Sequence, residues 1–174
     1  NSGGICGVRL STISKAGYSI KFLQEMASRV QDLGWLIQLH FGSVDEVVDL
    51  VPVLTRLRVK FLIDHQGRPP PLKGAHSRSF QALLELLKNS ENCWIKICSW
   101  YRQSTKGFPY EDMRPFVEEL ISARSQHLVW GSNWPHPNLQ GIMPNDTELL
   151  DQIIKWFGSS EKTKQILVDN PAEL

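Results

Sequence analysis

With 174 residues, 19 Lys and Arg against 18 Asp and Glu, and a net charge of +1, the chain offers nucleic acid or an anionic membrane no electrostatic footprint. Its 41% hydrophobic and 21% charged residues suit a globular domain, not a disordered tail. No apolar stretch reaches the roughly 18 residues that cross a bilayer, and the opening NSGGICGVRL lacks the basic-then-apolar pattern of an export signal.

The first strand is expected in ICGVRL, from Ile5. A helix follows, with Phe22, Leu23, Met26, Ala27, Val30 and Leu33 on one stripe and Gly34 to end it. WLIQLH, from Trp35, is the second strand. Ser43 with Glu46 reads as a capping box opening a helix striped by Val47, Val48, Val51 and Leu54. VKFLID, from Val59, is the third strand, and the helix after it uses Phe80, Leu83, Leu84 and Leu87. CWIKIC, from Cys93, is the fourth, followed by a helix through Phe116, Val117, Leu120 and Ile121. HLVWGS, from His127, is the fifth, and its helix opens at Asn145 and carries Leu149, Leu150, Ile153, Ile154 and Phe157. A short helix near Lys162 to Val168 precedes NPAEL. Strict alternation of β and α implies parallel strands with helical crossovers, an α/β class, and one domain over residues 1–174.

Cys93 and Cys98 lie an odd number of residues apart in one strand and should face opposite ways. That suits neither a disulfide nor a zinc clip. Buried reduced thiols in an intracellular, cytoplasmic protein are the expectation.

The polar residues that end the strands carry the functional argument. The runs close on Arg9, on His40, on Asp64 and His65, on Tyr101 and Arg102, and on Asn133. In parallel α/β folds the ligand lies beyond the carboxyl ends of the strands, so these groups should converge on one rim. Read singly, each has a plainer account: Arg9 fits a surface ion pair as well, and His40 or His65 a structural hydrogen bond. In WLIQLH, Leu36, Gln38 and His40 share one face, while Trp35, Ile37 and Leu39 suit helix packing on the other. Lys96, on an inward face, needs a carboxylate partner, and Asp64 is the natural one. The long loop HQGRPPPLKG suits a segment lining or covering a site. Signatures for nucleotide phosphates, a serine-nucleophile elbow and a helical zinc-binding pair are all missing.

GVRL from Gly7, FLIDHQGRP from Phe61, VWGSNWPHP from Val129 and the closing VDNPAEL together resemble the amidohydrolase superfamily, in the branch similar to pyrone-dicarboxylate lactonase. The resemblance implies a (β/α)8 TIM barrel in which these five units match barrel strands four to eight. A complete barrel takes about 250 residues, so a partial or divergent barrel without the first three strands is expected. The first-strand HxH pair of relatives would lie in the absent part.

The resemblance also implies roles. Arg9 and Arg102 match arginines that grip an anionic, carboxylate-bearing small substrate, a task suited to the guanidinium fork. His65 matches the histidine that polarises the scissile carbonyl or binds metal. His40 takes the fifth-strand position, often a metal ligand, and His136 within WPHP lies near the mouth as a substrate contact. The family usually has aspartate where this chain has Asn133, and an amide cannot act as a base. The implied activity is hydrolysis of a lactone or related C–O or C–N bond in a carboxylated molecule, with His65, Asn133 and His40 catalytic and no metal. The alternatives are one divalent ion such as zinc on His40 and His65, and a non-catalytic fragment or pseudoenzyme that binds carboxylates. Unpaired sheet edges in a partial barrel would invite homo-oligomers. An open doubly wound sheet is the competing architecture.

Overall fold

The computed structural model describes residues 3–13 and 20–174. Asn1 and Ser2, the start of the stretch read for an export signal, lie outside them. The strands are β1 (Gly7–Ser11), β2 (Leu36–His40), β3 (Phe61–Ile63), β4 (Cys93–Ile97) and β5 (Leu128–Trp130). The larger helices are α1 (Leu23–Gln31), α2 (Asp45–Leu54), α3 (Arg78–Asn89), α4 (Arg114–Arg124) and α5 (Asp146–Phe157). The strands form one parallel sheet in the order β1-β2-β3-β4-β5. A doubly wound sheet reverses its order at a switch point and carries helices on both faces; this sheet does neither. Sequential order with helices on one side is the geometry of consecutive units of a (β/α)8 barrel.

The period-2 alternation sorts the side chains onto two faces. Leu10, Ile37, Leu39, Phe61, Ile63, Ile95 and Leu128 face outward and pack with the helical stripes into the main core. Successive helices pack side by side around that outer face, α2 on α3, α3 on α4 and α4 on α5. Leu62, Trp94 and Val129 face the other way and form a second, small apolar cluster with Leu36 and Leu174. Beyond that cluster, toward the carboxyl ends, the same inner face turns polar. Gly7 sits on this face because a Cβ there would meet the Leu36 carbonyl oxygen at 2.6 Å.

Three local expectations are corrected. Phe22 and Leu33, placed on the α1 stripe, are exposed, as is Ile154 of α5. The capping box at α2 is displaced by one residue: Glu46 accepts from the Gly42 N–H at 3.1 Å and Ser43 Oγ from the Asp45 N–H at 3.3 Å. The final helix is longer than Lys162 to Val168. It runs as α6 (Ser160–Lys164), a π-helical turn (Gln165–Asp169) and α7 (Asn170–Glu173). The widened turn ends two residues before Pro171, whose ring and missing N–H disfavour a regular α-helix there.

At α5 the N-cap is where the sequence places it, with Asn145 Oδ1 accepting from the Thr147 N–H at 2.9 Å. Cys93 and Cys98 are free and buried, and burial pushes both thiols up, Cys98 to about 11. Among the described residues no helix is long and apolar enough to cross a membrane.

Candidate active site

The parallel register carries the five strand ends to one rim, where a cavity of about 530 Å³ opens. Arg9, His40, His65, Arg68, Arg102 and Asn133 line it, with Ile13, Gln103, Pro137 and Asn138. Two of the turns that deliver these side chains use left-handed backbone. His65, Gln66 and Arg68 have φ of 55°, 45° and 56°, and Asn133 has 70°. Asparagine tolerates that region; for the others it costs on the order of 1–3 kcal/mol each unless neighbours hold it. One such hold is Gln66, fully buried, whose Oε1 accepts from the Cys98 N–H at 2.9 Å and so ties the β3 turn to the end of β4.

Beneath the cavity lies Asp64, 1% exposed. Its carboxylate accepts from Arg9 Nη2, Lys96 Nζ and Gln38 Nε2, each at 2.7 Å. The ion pair expected between Lys96 and Asp64 is therefore present, and Arg9 joins it. Burial favours the neutral acid, but Lys96 and Gln38 outweigh it and hold the Asp64 carboxyl below its usual range. Two cations and an amide thus hold this carboxylate ionised beneath the cavity.

The two imidazoles meet edge to face, their ring centres 5.2 Å apart. Burial, followed by the Arg9 charge, lowers the His40 pKa. Burial pulls His65 down to about 4 despite the Asp64 charge beside it. Both rings are thus neutral at physiological pH, and His65 Nδ1 is buried with no hydrogen-bond partner among the described residues. Ser11 Oγ lies 3.3 Å from His40 Nδ1 and orients that ring.

This sets a pH dependence. The unfolded His65 imidazole takes up its proton near its ordinary value of 6.5 and the folded one near 4. Between those values the unfolded chain binds more protons, so stability falls as the pH drops through that window and levels off below it. The lowered Asp64 acts in the same direction at lower pH. Urea unfolding should show up to about 3 kcal/mol lost from pH ~6.5 to ~4. His65→Asn should flatten that part of the curve; a wild-type profile already flat there would contradict the burial of a neutral imidazole.

The remaining charge is cationic. Arg102 Nη2 donates to the Pro137 carbonyl at 2.6 Å, and its buried Nε has no partner among the described residues. Burial, then the nearby Arg102 guanidinium, lowers the Arg68 pKa. No ion-pair partner is recorded for either among the described residues, so both remain available to an anion.

His136 stands apart from this lining. It is 3% exposed, and its ring nitrogens face Tyr101 and Asp146, not the cavity. It lies behind Asn133, outside the residues that line the cavity.

An amidohydrolase family model matches residues 1–174. The chain belongs to the amidohydrolase family. It is 33% identical to a 2-pyrone-4,6-dicarboxylate hydrolase of Comamonas testosteroni, over 98% of this chain and 59% of that protein. It is 31% identical to a 4-sulfomuconolactone hydrolase of Hydrogenophaga intermedia, over 98% and 57%. Among solved structures, an apo protein of Agrobacterium tumefaciens superposes with a TM-score of 0.87 at 26% identity, over 99% of this chain and 62% of that one. A crystal structure assigned as a 2-pyrone-4,6-dicarboxylic acid hydrolase of Acinetobacter baumannii, with citric acid bound, gives 0.82 at 27%, over 99% and 65%. This amidohydrolase chain thus spans about three fifths of the curated relatives it matches.

Metal-dependent amidohydrolases gather several histidine and carboxylate donors. Here His65 Nδ1 is one open donor, with His40 near it. The nearest carboxylate, Asp64, is saturated, and Arg9, Arg68 and Arg102 surround the space with positive charge. Among the described residues no group of three or more His, Cys, Asp or Glu side chains could hold an ion. The described residues thus offer two imidazoles and no free carboxylate, a donor set short of the three or four ligands a zinc site takes.

Arg68 and Gln38 join the expected site residues. Arg68 sits in the loop already assigned to cover the site, three residues after His65, and that proximity was its signal. Gln38 was legible as an inward-facing polar residue of β2. Tyr101 was legible as a strand-end residue, but its place behind Asn133 was not, because its partners lie more than 30 residues away.

Proposed function

We propose that this chain carries the substrate-gripping and carbonyl-polarising part of a hydrolase acting on carboxylated lactones. The observation that carries the reading is one cavity combining three arginines with two neutral imidazoles, above a carboxylate already neutralised. The names of the relatives support it: a pyrone dicarboxylate and a sulfomuconolactone are both anionic cyclic esters. So does the citrate bound by the structural relative.

Arg68 and Arg102 take the substrate carboxylates through paired N–H donors. The lactone carbonyl then points toward His65. A neutral imidazole with a depressed pKa donates a hydrogen bond without giving up its proton, which suits a group that stabilises an oxyanion, with Arg9 adding charge. Water, held by His40 and Asn133, adds to the carbonyl. Collapse of the tetrahedral adduct breaks the ring C–O bond, and the proton lost by water ends on the released hydroxyl. No metal held by this chain's residues enters the scheme. We place the chain in the cytoplasm, in keeping with its buried free thiols.

The second reading, a carboxylate-binding relative without catalysis, draws on Asn133, which cannot accept a proton. Incubating the chain with 2-pyrone-4,6-dicarboxylate and with an uncharged lactone of the same ring, with and without zinc or manganese, separates the two. Ring opening of the dicarboxylate alone supports the hydrolase. Calorimetric binding without turnover supports the second reading, and neither binding nor turnover removes both.

A further inference from the structure

An amide has two unlike ends, one accepting and one donating, and the end that faces a cavity decides what the residue can do there. Asn133 lines the cavity, and its Nδ2 lies 2.9 Å from the Tyr101 hydroxyl. That hydroxyl lies 2.5 Å from Nδ1 of His136. His136 Nε2 lies 3.1 Å from Oδ1 of Asp146, a close contact outside hydrogen-bond geometry. Neither of those two atoms has a hydrogen-bond partner among the described residues.

We infer that Tyr101, His136 and Asp146 form a directional chain that turns the carbonyl oxygen of Asn133 toward the cavity. The direction follows from what each group can offer. The Asp146 carboxylate only accepts, so it favours the tautomer with the imidazole proton on Nε2. Nδ1 is then bare and must accept, which makes the Tyr101 hydroxyl the donor across 2.5 Å. The hydroxyl oxygen keeps its lone pairs for an N–H of Asn133. The opposite direction would place a bare Nε2 lone pair 3.1 Å from a carboxylate oxygen, an electrostatic penalty in a buried ring. Presented this way, Asn133 accepts a hydrogen bond from an attacking water without removing its proton. Tyr101 and His136 act through Asn133 and are positioning residues.

The role of the water rests on the hydrolase reading above; the direction of the chain does not, and the two are tested apart. Nitrogen-15 NMR of the unmodified protein reads the His136 tautomer directly. The expected result at neutral pH is a proton on Nε2 and a bare Nδ1; a proton on Nδ1 overturns the inference. In kinetics on the dicarboxylate lactone, Tyr101→Phe should lower kcat about tenfold with KM held within about twofold. An unchanged kcat with only a lower melting temperature would show a structural role and also overturn it. Should Tyr101→Phe fail to fold, the tautomer decides alone. Should the unmodified chain hydrolyse nothing, the hydrolase reading fails while the NMR result still stands or falls on its own.

Discussion

Asp64→Asn should destabilise the fold by about 3–5 kcal/mol, the loss typical when one member of a buried ionic cluster is removed. The substitution keeps the volume and removes the charge that Arg9 and Lys96 share at 2.7 Å. Arg9, 49% exposed, can turn toward solvent, but Lys96, 23% exposed, is left with much of its stem in the barrel interior and no counter-ion. Equilibrium unfolding in urea measures the loss. The double variant Asp64→Leu with Lys96→Met, which removes both charges and keeps apolar bulk, should recover most of it. A loss under about 1 kcal/mol in the single variant would show that the carboxylate does not organise the inner face.

His65→Ala should lower turnover of a carboxylated lactone by on the order of 10²-fold or more, about 2.7 kcal/mol of transition-state stabilisation. His65 occupies left-handed backbone at φ 55°, where alanine is poorly tolerated, so the variant also risks the fold. His65→Asn separates the two effects, because asparagine accepts that conformation with little strain. Retained urea stability with a comparable loss of rate would place His65 on the reaction. Parallel loss of fold and rate in both variants would mark a structural histidine.

The strands were legible because each is a short β-branched or aliphatic run closed by turn chemistry, and alternation within WLIQLH assigned the faces of Ile37, Leu39, Leu36 and Gln38 correctly. The Lys96–Asp64 pair was legible for a different reason: a buried cation demands a partner, and one inward carboxylate was in reach. Strand ends pointed to the rim, but side-chain direction there is set by left-handed turns at His65, Arg68 and His136. Local propensity disfavours that conformation for such residues, so no pattern announces it. This is why His136 went behind Asn133 instead of into the cavity. The shift of the α2 cap is smaller in kind: several donors and acceptors within four residues permit either register.

Leu62, Trp94, Val129 and Leu174 seal the sheet below the ionic cluster, while Arg68, Arg102 and Asn133 arrive on the turns above it. Foundation and fittings are therefore separate parts of the polypeptide. Gln66, which ties the β3 turn to β4, and Asn145, which caps α5, lie within those turns yet belong to the foundation, so an exchange with other family members leaves the sheet intact only where these two residues are kept.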